Sequence, residues 1–377
     1  MPGPVSPQAQ SCYDLENGST NWTAGLPAGP TEMHIPDGYL SPATCAALYV
    51  GSAPFWYVAL RRLKRLLSTK LIPLLSVFAA FSFVVMMFNL PLPGGTTGHA
   101  VGVAIASIVL GPWASILAIS IALFIQAVFF GDGGITAFGA NSFNMAIAGS
   151  LVAWFTYRAI SGKCAIVSRR RVFAAAVAGY LSINVAALLA AIEFGIQPML
   201  FRDATGAPLY APYPLKIAIP AMMAGHLTVA GLAELILSAG LVAWLQRSHP
   251  SLLSATAPGA AATEAEAGGF GWLAIRPLLV GLAAFMVITP LGILAVGSAW
   301  GEWSPHDLAA HHALPAGVPP GLERLSSVWT APFPSYAPPF LRSSSFGYFL
   351  SAAFGSGLIL LAAVVVDWAF AARRRSG

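Results

Sequence analysis

Charge is scarce in this 377-residue chain: Asp, Glu, Lys and Arg make up 9% of it, against 57% hydrophobic residues. A soluble domain carries about 25% charged residues, so there is too little polar side chain to cover a water-soluble particle of this size. The apolar residues also run in long blocks. Both features exclude a soluble enzyme and a nucleic-acid-binding protein, and the chain reads as an all-α polytopic membrane protein. Its formal charge of +5 is no sign of acidic partners, because Lys and Arg of membrane proteins collect in cytoplasmic loops. Cysteine is scarce too. Cys12, Cys45 and Cys164 have no CxxC spacing, which leaves neither a disulfide framework nor a thiolate metal site; Cys45 and Cys164 read as small apolar packing residues. A nucleotide-binding loop is also missing. The one Gly-Lys pair, Gly162-Lys163, is followed by Cys164, and Tyr157 stands where the leading glycine of such a loop belongs. With no HExxH pair and no Ser/His/Asp arrangement, the chain carries no visible engine of its own.

A bilayer core of about 30 Å takes about 20 apolar residues in a helix. Apolar blocks divided by basic or Pro/Gly-rich breaks predict nine spans, near 43–60, 71–90, 98–112, 113–130, 139–160, 172–195, 219–245, 277–297 and 346–370. The third and fourth are short and parted only by Gly111-Pro112; a broken helix at that depth must line a protein interior or cavity. With the N-terminus outside and the C-terminus inside, fifteen of the nineteen Lys and Arg fall on the cytoplasmic side. They form groups at 61–70, 158–171 and 373–375, joined by Arg247 and Arg276. Arg202, Lys216, Arg324 and Arg342 stay outside. The opposite orientation inverts this bias, so N-out, C-in is expected.

Residues 1–32 are polar, rich in Pro, Gly, Ser and Thr, and have no apolar core, unlike a secretory signal. Residues 248–275 have the Ala/Gly/Ser/Thr composition of a flexible connector. The expected organisation is therefore a polar extension (1–32), a seven-span core (33–247), a cytoplasmic linker (248–275) and a two-span module with a Pro-rich outer loop (276–377).

The chemistry concentrates in histidine. His34 lies in MHIPDGYLSP (33–42), just before the first span, and His99 in NLPLPGGTTGHAVG (89–102), at the same outer face. A neutral imidazole is the commonest protein ligand for late first-row divalent metals, although each ring alone reads equally as an interfacial or loop residue. His226 and Glu234 fall inside the seventh span, where ionisable residues are costly and face the interior. Eight residues apart, they stand about 12 Å apart along a helix; one ligand sphere cannot hold both, and they read as structural or partner-facing polar contacts. Asp37 and Asp132 are outer-side acids, read as solvated loop residues that also attract cations. His306, His311 and His312 read as a solvated outer loop.

Two stretches carry a resemblance: MHIPDGYLSP, and the run from Gly98 to Gly149 that holds Gly-His, Gly-Pro-Trp, Gln-Ala-x-x-Phe-Gly-Asp-Gly-Gly and Gly-Ala-Asn-x-Phe-Asn-Met. In order and spacing they resemble the CbiM/NikM family, the substrate-binding membrane components of cobalt/nickel energy-coupling-factor transporters. The likeness runs from about Met33 to Leu245, and the segment from Arg276 onward is similar in pattern to the small CbiN/NikN-type accessory component. The resemblance implies a substrate-capture subunit of an ATP-driven Co²⁺ or Ni²⁺ importer in a bacterial cytoplasmic membrane. It also implies a CbiQ-type coupling subunit and two CbiO-type ATPases as partners, with lipid around it and no organic cofactor. The implied metal ligands are the Met33 amine, the His34 main-chain nitrogen and imidazole, and His99. Four nitrogens in a plane, closed by five- and six-membered chelate rings, suit Ni²⁺ or Cu²⁺. Asn141 and Asn144, three apart on one helix face, correspond by the same resemblance to residues that position the N-terminal segment; helix capping is their other reading. Gly94, Gly95 and Gly98 are expected to let the His99 loop close over that segment. One departure stands out: Met33 is not residue 1, so its nitrogen is an internal amide as written, and the mature protein is expected to begin at Met33. Two alternatives stay open: a self-sufficient ion-coupled secondary transporter, which would need buried carboxylates such as Glu193 and Glu234 along a path, and, further off, a membrane enzyme or a metal sensor.

Overall fold

The computed structural model describes residues 33–66, 71–92, 96–256, 272–295, 297–311, 314, 317–338 and 340–375. The expected extension 1–32, and Gly94 and Gly95, lie outside them. The described chain is mostly helical: α1 (Pro42–Leu66), α2 (Leu71–Met86), α3 (Val103–Leu110), α4 (Pro112–Ile125), α5 (Phe138–Asn141), α6 (Ser150–Ser161), α7 (Arg169–Leu200), α8 (Leu215–Gly225), α9 (Gly231–Ser248), α10 (Trp272–Ile288), α11 (Pro305–His311), α12 (Pro320–Leu325) and α13 (Ser344–Arg375). A two-stranded hairpin, β1 (Leu90–Leu92) against β2 (Thr96–Gly98), pairs Leu90 with Gly98 and delivers His99.

Among the described residues, six stretches are long and apolar enough to cross a membrane: Pro42–Leu63, Pro112–Phe130, Arg169–Leu200, Leu215–Ser248, Ile275–Leu294 and Ser344–Val365. The block expected as a third span holds only the eight residues of α3, about 12 Å of helix, which cannot cross about 30 Å of hydrocarbon. All eight are buried, and α3 packs against α4, α6 and α7 inside the molecule. Its exposed N-terminal amides are satisfied from another helix: Glu234 Oε2 accepts from Val101 N at 2.8 Å and Gly102 N at 2.9 Å. Gly102, at φ 72°, makes the turn into the helix. Glu234 is thus an internal brace rather than a partner contact. Ala104, Ala106 and Ala153 are fully buried, which assigns these small residues to internal packing.

The helix α1 leaves the N-terminal segment and runs to Arg61 and Arg62, while α7 runs the other way, so that Gln197 near its end accepts from Ser41 N at 3.0 Å. Among the described residues, three helices contain π turns, at Gln126–Phe130, Ser142–Gly149 and His226–Ala230. Such turns gather at functional sites, and each of these brings a polar residue toward the same region. The C-terminal helices α10 and α13 both pack on α2, where Tyr348 donates to Met87 O at 3.0 Å and a side chain at Gly355 would run into the Phe83 ring.

At the opposite end of α7 the wholly buried Arg171 donates to Tyr157, Cys164 O and both oxygens of Thr256. Residues 250–256, expected as the start of a flexible linker, therefore form a packed 3₁₀ turn with Leu252 and Leu253 buried. Residues 257–271 lie outside the described part.

Candidate metal-binding site

The N-terminal segment 33–41 is not helical; it is laid across the mouth of the bundle and held by side chains from elsewhere. Asn141 Oδ1 accepts from Ile35 N and Asn141 Nδ2 donates to Ile35 O, both at 3.0 Å, so one amide side chain pairs with both backbone groups of that residue. Gly134 N donates to Ile35 O at 2.9 Å. Asp37 accepts from Ile135 N at 3.1 Å, Thr136 N at 2.7 Å and the Thr136 hydroxyl. The Gly-Asp-Gly-Gly loop has to be bare here: a Cβ at Gly133 (φ +86°) would stand 2.9 Å from His34 Cβ.

At the centre is Asp132. Its Oδ1 accepts from Met33 N and from His34 Nδ1, each at 2.9 Å. Its Oδ2 accepts from the Tyr336 hydroxyl at 2.6 Å and from Gln126 Nε2 at 3.4 Å. Burial alone would raise the Asp132 pKa, but the His34 ring and these donors outweigh it and hold the carboxyl below its usual range. Because a carboxylate only accepts, His34 Nδ1 donates to Asp132; the His34 Nε2 is buried and has no hydrogen-bond partner among the described residues. His99 follows the same pattern. Its Nδ1 donates to Ala100 O at 2.9 Å, and its Nε2 lies 3.3 Å from Met33 O. Burial, with the neighbouring His34 ring, pushes His99 down to about 4, so it is neutral at ordinary pH. The two rings stand 5.1 Å apart, centre to centre, at 68°. Two imidazoles, each held by a hydrogen bond from Nδ1, thus line one space. Such outer hydrogen bonds are how proteins orient metal-binding histidines.

That space is a cavity of about 550 Å³, lined among others by Met33, His34, His99, Asn144, His226 and Trp300. Met33, His34, His99 and Asn141 therefore come together. Asn144 lines the same cavity, but it donates to Glu193 Oε2 at 2.8 Å and does not hold the N-terminal segment. His226 also faces the cavity, with Nδ1 donating to Met222 O at 2.9 Å, whereas Glu234 is occupied at α3. The reading of Asp37 and Asp132 as solvated loop acids is overturned: they are 9% and 2% exposed, because the Gly-Asp-Gly-Gly loop folds under the N-terminal segment. His306 is exposed beside Asp307; His312 and the side chain of His311 lie outside the described residues. Gln126 and Tyr336 went unnoticed in the sequence. Gln126 opens the Gln-Ala-x-x-Phe-Gly-Asp-Gly-Gly motif and so had a signal, while Tyr336 lies 204 residues from Asp132 and had none.

Among the described residues no three His, Cys, Asp or Glu side chains converge into a ready-made cage. An ion held here by several ligands would draw on main-chain atoms as well as the two imidazoles.

Comparison with known proteins assigns the chain. Residues 34–252 match the family model described as the CbiM cobalt uptake substrate-specific transmembrane region. The chain is 52% identical over 357 residues to a fused nickel transport protein NikMN of Rhodobacter capsulatus, covering 92% of this chain and all of that one. It is 33% identical to a cobalt transport protein CbiM of Geobacter sulfurreducens, covering 78% of this chain and 83% of the relative. A crystal structure of a truncated transition metal transporter superposes with a TM-score of 0.54 at 48% identity, covering 58% of this chain and the whole of that one. The matched family is made of transport proteins, not enzymes. The chain belongs to the CbiM/NikM family of nickel and cobalt transport proteins, in the form that carries a NikN-like module fused behind the core.

Proposed function

We propose that the protein is the substrate-capture subunit of an ATP-driven energy-coupling-factor importer, with Ni²⁺ as its cargo. Met33, His34 and His99 take the ion: the Met33 amine, the His34 main-chain nitrogen and ring, and the His99 ring from across. The observation that carries this reading is the meeting of residues 33, 34 and 99 around one cavity, each ring held by a hydrogen bond at Nδ1. Closing the six-membered ring requires the Met33 nitrogen and His34 Nδ1 to exchange Asp132 Oδ1 for the ion. Asp132 then acts as the group that keeps both donors in place between loads. The Met33 nitrogen is an effective donor only as a free amine, so the working chain begins at Met33. Four nitrogens favour nickel over cobalt, and the name of the Rhodobacter relative supports the same choice.

The core at 33–247 captures the ion at the outer face of a bacterial cytoplasmic membrane. The linker at 248–275 joins it to the module at 276–377, and separate CbiQ-type and CbiO-type subunits supply coupling and ATP hydrolysis. A self-sufficient ion-coupled carrier needs carboxylates free along a path. Glu234 instead gives Oε2 to the amides at the start of α3, and Glu193 pairs with Asn144.

The test is competition binding of Ni²⁺ and Co²⁺ to purified protein whose first residue is read by intact mass, together with uptake into vesicles with and without the ATPase subunits. Loss of nickel binding in His34→Ala and His99→Ala, and uptake only with the ATPases, are expected. Undiminished binding in both variants, or uptake without any ATPase, overturns the reading.

A further inference from the structure

The described part of the C-terminal module reaches the proposed metal site twice. On one side, Thr96 and Thr97, which precede His99, donate to Ser298 O at 3.0 Å and Gly297 O at 3.3 Å, and Trp300 closes the cavity wall. On the other, Tyr336 places its hydroxyl 2.6 Å from Asp132 Oδ2 while accepting from Gln126 Nε2 at 2.8 Å. Tyr336 is 1% exposed. Its ring stacks on Phe130 at 4.8 Å and 25°, and its carbonyl accepts from Ser351 on α13 at 3.0 Å. Among the described residues, the non-glycine residues with positive φ are Ser335 (56°) and Tyr336 (59°). Left-handed backbone is unfavourable for a residue with a Cβ and persists only where the surroundings impose it. Here it turns the phenol inward from the Pro-rich loop into the bundle. Burial and the Asp132 charge raise the Tyr336 pKa well above its ordinary value, so the hydroxyl keeps its proton and remains a donor.

We propose that Tyr336 is a positioning residue of the metal site, supplied by the fused module: through Asp132 it holds His34 and the Met33 nitrogen in place until the ion takes them, so that the module sets how readily the core loads its ion. The chain of contacts is short. The Tyr336 hydroxyl fixes Oδ2, a carboxylate is planar, and fixing Oδ2 fixes the direction of Oδ1, which carries both donors. Without the phenol, only the long Gln126 contact of 3.4 Å remains on Oδ2, and the carboxylate is free to turn. This inference rests on the site proposed above.

The experiment is Ni²⁺ titration of the full chain in detergent, its first residue read by intact mass, comparing parent, Tyr336→Phe, Asp132→Asn, the double variant and His99→Ala. Removal of a group that orients a metal ligand costs 10- to 100-fold in affinity, so Tyr336→Phe is expected to weaken Kd at least about 10-fold. If the phenol acts through the carboxylate, the double variant binds no worse than Asp132→Asn alone. Because the donors are held only until the ion takes them, nickel association with Tyr336→Phe is expected to slow while the ligand-field band of the loaded site stays at its parent position. A Kd within twofold of the parent, an additive double variant, or weaker binding with an unslowed association overturns the proposal; the last reports a structural role only. His99→Ala separates the two levels. If it abolishes binding while Tyr336→Phe does not weaken it, the site stands and the role of the module falls. If it leaves binding intact, the site reading itself falls.

Discussion

Gly133→Ala is the sharpest probe of the N-terminal clamp, because a matched control exists in the same chain. Gly133 and Gly206 both have φ +86°. An alanine forced into that backbone conformation costs about 1–2 kcal/mol at either position. The surroundings differ. A Cβ at Gly206 meets nothing within 4 Å, whereas at Gly133 it stands 2.9 Å from His34 Cβ and 3.1 Å from Asn141 Nδ2. Neither neighbour can withdraw freely, because His34 is bound to Asp132 and Asn141 to Ile35. The added methyl therefore has to push the His34 backbone outward by several tenths of an ångström and strain hydrogen bonds of 2.9–3.0 Å. The backbone cost is shared, so the difference between the two variants isolates this displacement. Both are expected to lower the thermal midpoint of the detergent-solubilised protein by a similar few degrees from the shared term, with Gly133→Ala falling further. Nickel titration is expected to show Gly206→Ala within twofold of the parent and Gly133→Ala weakened at least about tenfold, a loss of about 1.4 kcal/mol. Gly133→Ala binding as tightly as Gly206→Ala would refute the claim that the Gly-Asp-Gly-Gly loop sets the position of His34.

Three further perturbations test separate parts of the structure. Asn141→Ala leaves the buried Ile35 N–H unsatisfied, at about 1–3 kcal/mol, and its C=O with the Gly134 N–H alone; faster hydrogen exchange over residues 33–37 and weaker nickel binding are expected, and unchanged exchange would count against the clamp. Glu234→Ala strips the acceptor from Val101 N and Gly102 N, so a thermal midpoint ordered parent, Glu234→Gln, Glu234→Ala is expected; a Glu234→Ala protein as stable as the parent would rule out the brace. Arg171→Met removes the donors to Cys164 O and Thr256, and limited proteolysis is expected to cut faster around residues 250–256, an expectation that parent-like cutting would defeat.

Much of this protein was legible before any coordinates. The shortage of charge and the length of the apolar blocks determine a membrane-embedded helical chain by solvation alone, since hydrocarbon tolerates no unpaired backbone and few ions. That Met33, His34 and His99 come together was legible because motif order marks them at one outer face. The clamp role of Asn141 was only half legible: its helical spacing with Asn144 put both on one face, but not which backbone either would meet. In the structure only Asn141 takes the N-terminal segment, while Asn144 turns to Glu193.

Other features were decided by the tertiary structure. How the short helix within 98–112 is held inside the molecule depends on Glu234, 132 residues further on, which accepts from the amides at its start. Whether Asp132 is a solvated acid or a buried hub depends on what covers its loop. The cover comes from Met33, 99 residues before it, and from Tyr336, 204 residues after it. Local pattern records the propensity of a segment and the face it presents, but a buried polar group is satisfied by whichever distant donor the packing of helices brings within 3 Å. That pairing is set by the whole fold.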